Sequence, residues 1–269
     1  MISTYDACVE FRRLHESGCF VIPNPWDIGS ARLLVRMGFR ALATTSSGFA
    51  WSCGRADDET TLGEALEHFR AMAAAVDVPV SGDFQSAFAI EPQGVEANVA
   101  LAAATGLAGV SVEDRTGNTE TPLLEFELAV DRIRAARRAI DTRGAPVLLT
   151  ARAEGFLVGR PDLAETIRRL KAFAEAGADC VYAPGVRAKS DIAAIVAAVS
   201  PTPVNVVVAS DFTTVAELAA LGVRRISVGG ALARAAFTGL LSAAREIAEH
   251  GTFSGLGGAA SFAELNRRA

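Results

Sequence analysis

Short apolar runs alternate with stretches of helical period along almost the whole chain. Eight runs rich in β-branched and small apolar residues stand out, at residues 19–23, 41–45, 78–83, 109–113, 146–151, 180–183, 204–209 and 224–228. Between them lie amphipathic stretches. Residues 27–37 place Ile28, Ala31, Leu34 and Val35 on one face, and residues 124–140 do the same with Leu128, Ile133, Ala136 and Ile140. Residues 165–176 and 191–199 have the same character. Gly38, Gly106, Gly177 and Gly222 each stand just before an apolar run, where a helix ends on a left-handed residue. The phrases MGFRALATTS, TGLAGVSVED, AGADCVYAPG and LGVRRISVGG repeat one plan: helix end, glycine, strand, polar tip. Eight such units in 269 residues predict an α/β fold, a (β/α)8 barrel of the TIM type. The alternative, a doubly wound sheet, carries a nucleotide loop early, and no GxGxxG follows the first run. After Gly251, TFSGLGGAA reads as a flexible hinge, and Ser261 with Glu264 forms a capping box for a short last helix, SFAELNRR. The expected organisation is a barrel over 1–250 and a C-terminal hinge and helical arm over 251–269, one domain overall.

Composition narrows the partners. The net charge of -5 argues against nucleic acid and against an anionic membrane surface. No apolar run reaches the ~20 residues that span a bilayer, and MISTYDACVEFRRLHESG lacks a signal-peptide layout, so a cytoplasmic location is expected. Cys8, Cys19, Cys53 and Cys180 have neither CxxC spacing nor framework density and read as reduced thiols, mostly core fillers.

A barrel enzyme carries its chemistry where its strands end. The tips here are Asn24, then Thr44 to Gly48, Asp83 and Gln85, Glu113 and Asp114, Arg152 and Glu154, Pro184 and Gly185, Ser210 and Asp211, and Gly229 and Gly230. In extended chain Asp83 and Gln85 face the same way. Asp83 and Glu113 near Arg152 suggest a site for a hard cation such as Mg2+, which takes one or two carboxylates and keeps its waters; the other reading is that these acids cap the following helices. The hydroxyl-rich turn Thr44–Gly48 suits a carboxylate or an oxyanion, or simply finishes a strand. Gly229 and Gly230 form either a tight turn or a phosphate cradle. Lys171 and Lys189 fall outside the strands, which disfavours a Schiff base. His15, His68 and His250 fall in helical stretches, which disfavours a triad or a zinc site; His15 and His68 are expected at a surface or interface.

The motifs PNPWDIGSARLL, ATTSSGFAWSCGRAD, PVSGDF, GVSVED, ARAEGFLVG, AGADCVYAPG, LAALGVRRISVGG and SFAELN occur in that order with barrel spacing. Through them the chain, from Phe11 to about Asn266, resembles the isocitrate lyase/phosphoenolpyruvate mutase superfamily, as a phosphonomutase-like member. The resemblance implies a barrel whose last helix is swapped between subunits of a homotetramer, a dimer of dimers. It implies Mg2+, with Mn2+ as an alternative, and a small 2-oxo or 2-hydroxy acid that reacts through a pyruvate-like enolate. By motif, Asp83 matches a direct metal ligand, Glu113 a water-mediated one, and Asp57 a third carboxylate that orients metal waters. Arg152 matches the cation that pairs with substrate, Thr45, Ser46 and Ser47, in the turn that ends at Gly48, match the grip on its carboxylate, and Asn118 lies in a gating loop. Asp27 is expected to cap a helix. The chain departs from the family at Gln85, which stands where a second acid is usual and accepts from a metal water without adding charge. It also lacks a KKCGH-like loop, and EDRTGNTETPLL lacks the lysine of the phosphonate branches. The expected activity is a Mg2+-dependent lyase or hydrolase at a C–C bond of a 2-oxo or 2-hydroxy (di)carboxylic acid. The alternatives are a phosphonomutase or phosphonopyruvate hydrolase at a P–C bond, and a barrel that binds a carboxylate without turnover.

Overall fold

The computed structural model describes residues 2–266, so Arg267 and Arg268 of the expected last helix lie outside the described residues. Eight strands form one all-parallel sheet: β1 (Phe20–Ile22), β2 (Leu42–Ala43), β3 (Val80–Asp83), β4 (Gly109–Glu113), β5 (Leu148–Arg152), β6 (Cys180–Tyr182), β7 (Val204–Val207) and β8 (Arg225–Ser227). Seven of them fall within the apolar runs, and β5 continues one residue further to take in Arg152. Helices alternate with them: α1 (Thr4–Glu16), α2 (Ile28–Arg36), α3 (Ser46–Ser52), α4 (Leu62–Ala75), α5 (Pro92–Ala103), α6 (Phe126–Asp141), α7 (Leu163–Glu175), α8 (Lys189–Val199), α9 (Val215–Ala220), α10 (Ala231–His250) and α11 (Phe262–Leu265). The order β1-β8-β7-β6-β5-β4-β3-β2 wraps the sheet into a nearly closed (β/α)8 barrel.

Backbone chemistry explains where closure is weakest. Pro23 has no N–H to donate, and β1 and β2 share no ladder; Ala43 N–H to the Pro23 carbonyl, 3.1 Å, spans the gap. Asn24 adds a side-chain clamp. Its Nδ2 donates to Thr44 O (3.0 Å), while its Oδ1 accepts from the backbone N–H groups of Val228 and Gly229, each at 2.9 Å.

The helix ends follow the sequence signals. Gly38, Gly106, Gly177 and Gly222 all have positive φ, between 85° and 105°. Asp27 caps α2 in a reciprocal box with Ser30. At the opposite end of the barrel from the strand tips, α1 packs beneath β4 and β5. Phe11 is fully buried against Gly109, where a Cβ would come within 2.6 Å of its ring. Arg12 donates to the carbonyls of Pro146 and Val147 and pairs with Asp179. His15 is not a surface residue: it is buried, with Phe11 and Phe20 packed edge-on against its ring. Half-buried His68 stacks on Phe49. Cys8 and Cys180 are buried as expected, whereas Cys53 is exposed.

The C-terminal segment differs from a plain hinge. Gly251 ends α10 in the left-handed conformation (φ 64°), and the Glu246 carboxylate then accepts from Thr252 Oγ1 and from the N–H groups of Ser254 and Gly255. These bonds fold a 3-10 turn, Ser254–Leu256, back against α10. α10 itself buries only Ala233 and Ala243 and exposes Leu240, Leu241 and Ile247. No helix among the described residues is long and apolar enough to cross a membrane.

Candidate active site

A cavity of about 400 Å3 opens at the C-terminal ends of the strands and reaches into the barrel. β3 ends at Asp83, β4 at Glu113 and β5 at Arg152, and Glu113 and Arg152 are register partners. The three side chains converge. The Arg152 guanidinium donates to Asp83 Oδ1 at 2.8 Å, lies 3.2 Å from Glu113 Oε2 and donates through Nε to Glu154 Oε1 at 2.8 Å. Its carbon lies 5.2 Å from the centre of the Tyr182 ring. Glu154 is fully buried, and its Oε2 has no hydrogen-bond partner. Burial pushes the Glu113 carboxyl up to about 7 against the pull of Arg152, and Glu154 and Asp83 add to the rise. Glu154 is also raised by burial, again opposed by Arg152.

The hydroxyl turn supports the same carboxylate. Asp83 Oδ2 accepts from Ser46 N–H at 3.0 Å, and Asp83 N–H donates to Thr44 Oγ1 at 2.9 Å. Thr45 caps α3 by accepting from Gly48 N–H, and its hydroxyl lies 3.1 Å from that of Ser47. Thr45, Ser46, Ser47, Asp57, Asp83 and Arg152 therefore share one cavity wall. Burial raises the Asp57 carboxyl, as do the charges of Asp58 and Asp83, against a bond from Ser46.

Three expected residues sit elsewhere, and a fourth, Glu113, joins the cluster without lining the cavity. Gly48 lies behind the turn, where a Cβ would come within 2.7 Å of the Thr45 methyl; its role is close packing against Trp26 and Ala233. Glu113 meets the cavity through Arg152, which lies 3.2 Å from its Oε2, and does not line the wall itself. Asn118 lies on an exposed loop, where its Oδ1 accepts from the N–H groups of Glu120 and Thr121. Gln85 does not continue the strand. It has φ 49°, so the extended geometry that would aim it alongside Asp83 is lost, and its Nε2 instead donates to Asp58 Oδ1 at 2.7 Å. Arg115 links Asp58 to Glu113, so Gln85 belongs to a lateral chain of side chains leading into the site. Sequence reasoning assigned no part to Asp58, Arg115 or Tyr182, and it placed Glu154 at a strand tip without assigning it a role, although Glu154 follows Arg152 by two residues there.

Among the described residues no group of three or more His, Cys, Asp and Glu side chains is arranged to hold a metal ion. The donor chemistry nevertheless fits a hard cation of the Mg2+ kind. Asp83 presents a carboxylate to the cavity, Asp57 shares its negative field, and Mg2+ needs only one or two carboxylates beside its waters.

Comparison with known proteins agrees with this geometry. The family model described as phosphoenolpyruvate phosphomutase matches residues 11–248. A crystal structure of a lyase/mutase candidate of Burkholderia cenocepacia J2315 is 45% identical, with a TM-score of 0.94, covering 98% of this chain and 95% of its own. An uncharacterized protein of Mycobacterium tuberculosis (strain ATCC 25618 / H37Rv) is 31% identical over 243 residues, 90% of each chain. The structure of oxaloacetate acetylhydrolase in complex with the product oxalate is 25% identical, with a TM-score of 0.84, covering 94% of this chain and 90% of that one. Barrel, strand-tip acids and family match converge: the chain belongs to the phosphoenolpyruvate phosphomutase family, within the isocitrate lyase/phosphoenolpyruvate mutase superfamily of lyases and mutases.

Proposed function

We propose that this enzyme cleaves a C–C bond of a small 2-oxo or 2-hydroxy (di)carboxylic acid with the help of Mg2+. The observation that carries this reading is the Arg152 guanidinium, held among Asp83, Glu113 and Glu154 beneath the Thr45–Ser47 turn. The oxalate held by oxaloacetate acetylhydrolase supports the substrate class, since oxalate has the shape of a pyruvate-like enolate. Asp83 would hold the ion directly, with Glu113 and Asp57 acting through its waters. The ion would supply positive charge at the substrate oxygen where negative charge develops.

The chain's own groups account for the remaining steps. The hydroxyls of Thr45, Ser46 and Ser47 bind the substrate carboxylate at the cavity wall. Arg152 offers a fixed cation to the developing oxyanion, and its three carboxylate contacts hold it in place without reorganisation. Glu113, whose carboxyl burial pushes upward, is the group of this cluster suited to hold a proton while no ion is bound. The subunit assembly belongs to the same proposal: the exposed apolar side chains of α10 and the arm pack on another copy, in a homo-oligomer.

The test is a Mg2+-supplemented screen of 2-oxo and 2-hydroxy acids and phosphonopyruvate, following pyruvate release, with oxalate binding measured in parallel. Asp83→Ala is expected to abolish metal-dependent oxalate binding. Unchanged oxalate affinity and metal dependence in that variant would remove the metal role, and turnover of phosphonopyruvate alone would move the reaction to the P–C bond.

A further inference from the structure

Beneath Arg152 the cavity continues into the barrel, and its lower walls are Ser81, Ser111, Tyr182, Asn205, Arg225 and Ser227. Barrels of this class usually fill these inward layers with branched apolar side chains; here the layer is polar and contains a guanidinium. Arg225, the first residue of β8, is only 5% exposed. Its Nε donates to Asn205 Oδ1 at 2.8 Å, its Nη2 donates to Thr150 Oγ1 at 3.1 Å, and its Nη1 lies 3.3 Å from His15 Nε2. His15 Nδ1 lies 2.7 Å from the Phe11 carbonyl, so Nδ1 carries the proton and Nε2 is left to accept from Arg225. Burial, reinforced by Arg225, holds the His15 pKa down at about 3, and the ring is neutral. All three partners of Arg225 are therefore uncharged. A buried cation is costly unless an opposite charge is present, and a guanidinium with five N–H groups still has donors to spare.

The level of this cation matters. Thr150 precedes Arg152 by two residues on β5, so its side chain faces the same way one layer lower, roughly 7 Å along the strand. The hydrogen bond from Arg225 to Thr150 places the second guanidinium at that lower level, with Tyr182 lining the space between. Two cations thus lie one above the other along a single cavity, the upper one matched by three carboxylates and the lower one by none.

We propose that the lower chamber is an anion subsite with Arg225 as its receptor, so that the substrate is a short dicarboxylate whose second carboxylate enters the barrel. This rests on the reading of the upper site as the place where the 2-oxo acid end binds. Ser111 borders the chamber and supplies a hydroxyl for the remaining carboxylate oxygen, while Ser227, which accepts from Asn205 Nδ2 at 3.0 Å, completes the polar wall.

The test is calorimetric titration of the full chain, with Mg2+ present, against oxalate, succinate, its monoamide and butyrate. Succinate is expected to bind at least about tenfold more tightly than the monoamide or butyrate. Arg225→Met should erase that preference and leave oxalate affinity unchanged. If Arg225→Met does not fold, Ser111→Val narrows the chamber without touching the guanidinium, and it should weaken succinate but not oxalate. Oxalate binding without a preference for succinate, or a preference that survives these substitutions, overturns the lower subsite alone. Failure of the wild-type chain to bind oxalate overturns the upper-site reading, and failure to bind either ligand overturns both.

Discussion

At the scale of single residues, two buried cations show opposite ways of tolerating charge. Arg152 is surrounded by acids, and removing it leaves buried carboxylates without a partner. Arg152→Met is expected to lower stability by about 3–5 kcal/mol in a urea titration. Added Mg2+ should recover part of that loss, because the exposed acid cluster becomes a stronger cation site; no recovery would argue against cation binding at Asp83. Arg225 relies on neutral partners, and His15 must stay uncharged to be one of them. The sign of the pH dependence follows. A histidine whose pKa falls from 6.5 to about 3 on folding takes up a proton only in the unfolded chain through that window. Stability therefore declines as pH falls from about 6.5 toward 3, by about 2 kcal/mol at pH 5 from this group alone. His15→Gln, which retains a donor and an acceptor, should lower stability at pH 7 yet flatten that slope, as read from urea midpoints at pH 7 and pH 5. His15 also shows where sequence reading fell short: its helical position was legible, but the burial of its face depended on α1 lying beneath β4 and β5.

At the scale of elements, the strands were legible because each is a short apolar run bounded by glycine or polar residues, and each tip followed from the strand that carries it. The segments after the strands were not. The turn after β3 holds three non-glycine residues at positive φ, Gln85, Ala87 and Phe88, and no residue preference announces that conformation. It is imposed from a distance. Arg132 on α6, 1% exposed, donates to the carbonyls of Ser86, Ala89 and Glu113, and so ties this turn to the end of β4. Arg132→Met leaves those carbonyls unsatisfied and is expected to cost at least about 3 kcal/mol. It should also release Gln85 from Asp58, so that oxalate affinity falls together with stability. A variant that loses stability with full oxalate affinity would show that the turn does not position the site.

At the scale of the whole molecule, the barrel was evident from eight repeats of one unit, whereas the fate of its last helix was not, because a swapped helix and a docked one share the same amphipathic pattern. The structure leaves Leu240, Leu241, Phe253, Leu256, Phe262 and Leu265 exposed along α10 and the arm. A surface of that kind marks an interaction site. The full chain is expected to sediment as an oligomer at micromolar concentration, and truncation after Gly251 should shift it toward smaller species. A full-length monomer at that concentration would exclude the assembly.

The side-chain clamp at Asn24 also has a consequence for how the fold breathes. Seven junctions between neighbouring strands are held by ladders, but the eighth is joined by one backbone bond and a single amide side chain. The cylinder therefore has a zip, and local opening starts where that zip is thinnest. In deuterium oxide, the amide of Ala43 should exchange faster than those of β4 and β5. Asn24→Ala should speed it further, and expose the amides of Val228 and Gly229 as well, while leaving the opposite wall of the cylinder untouched.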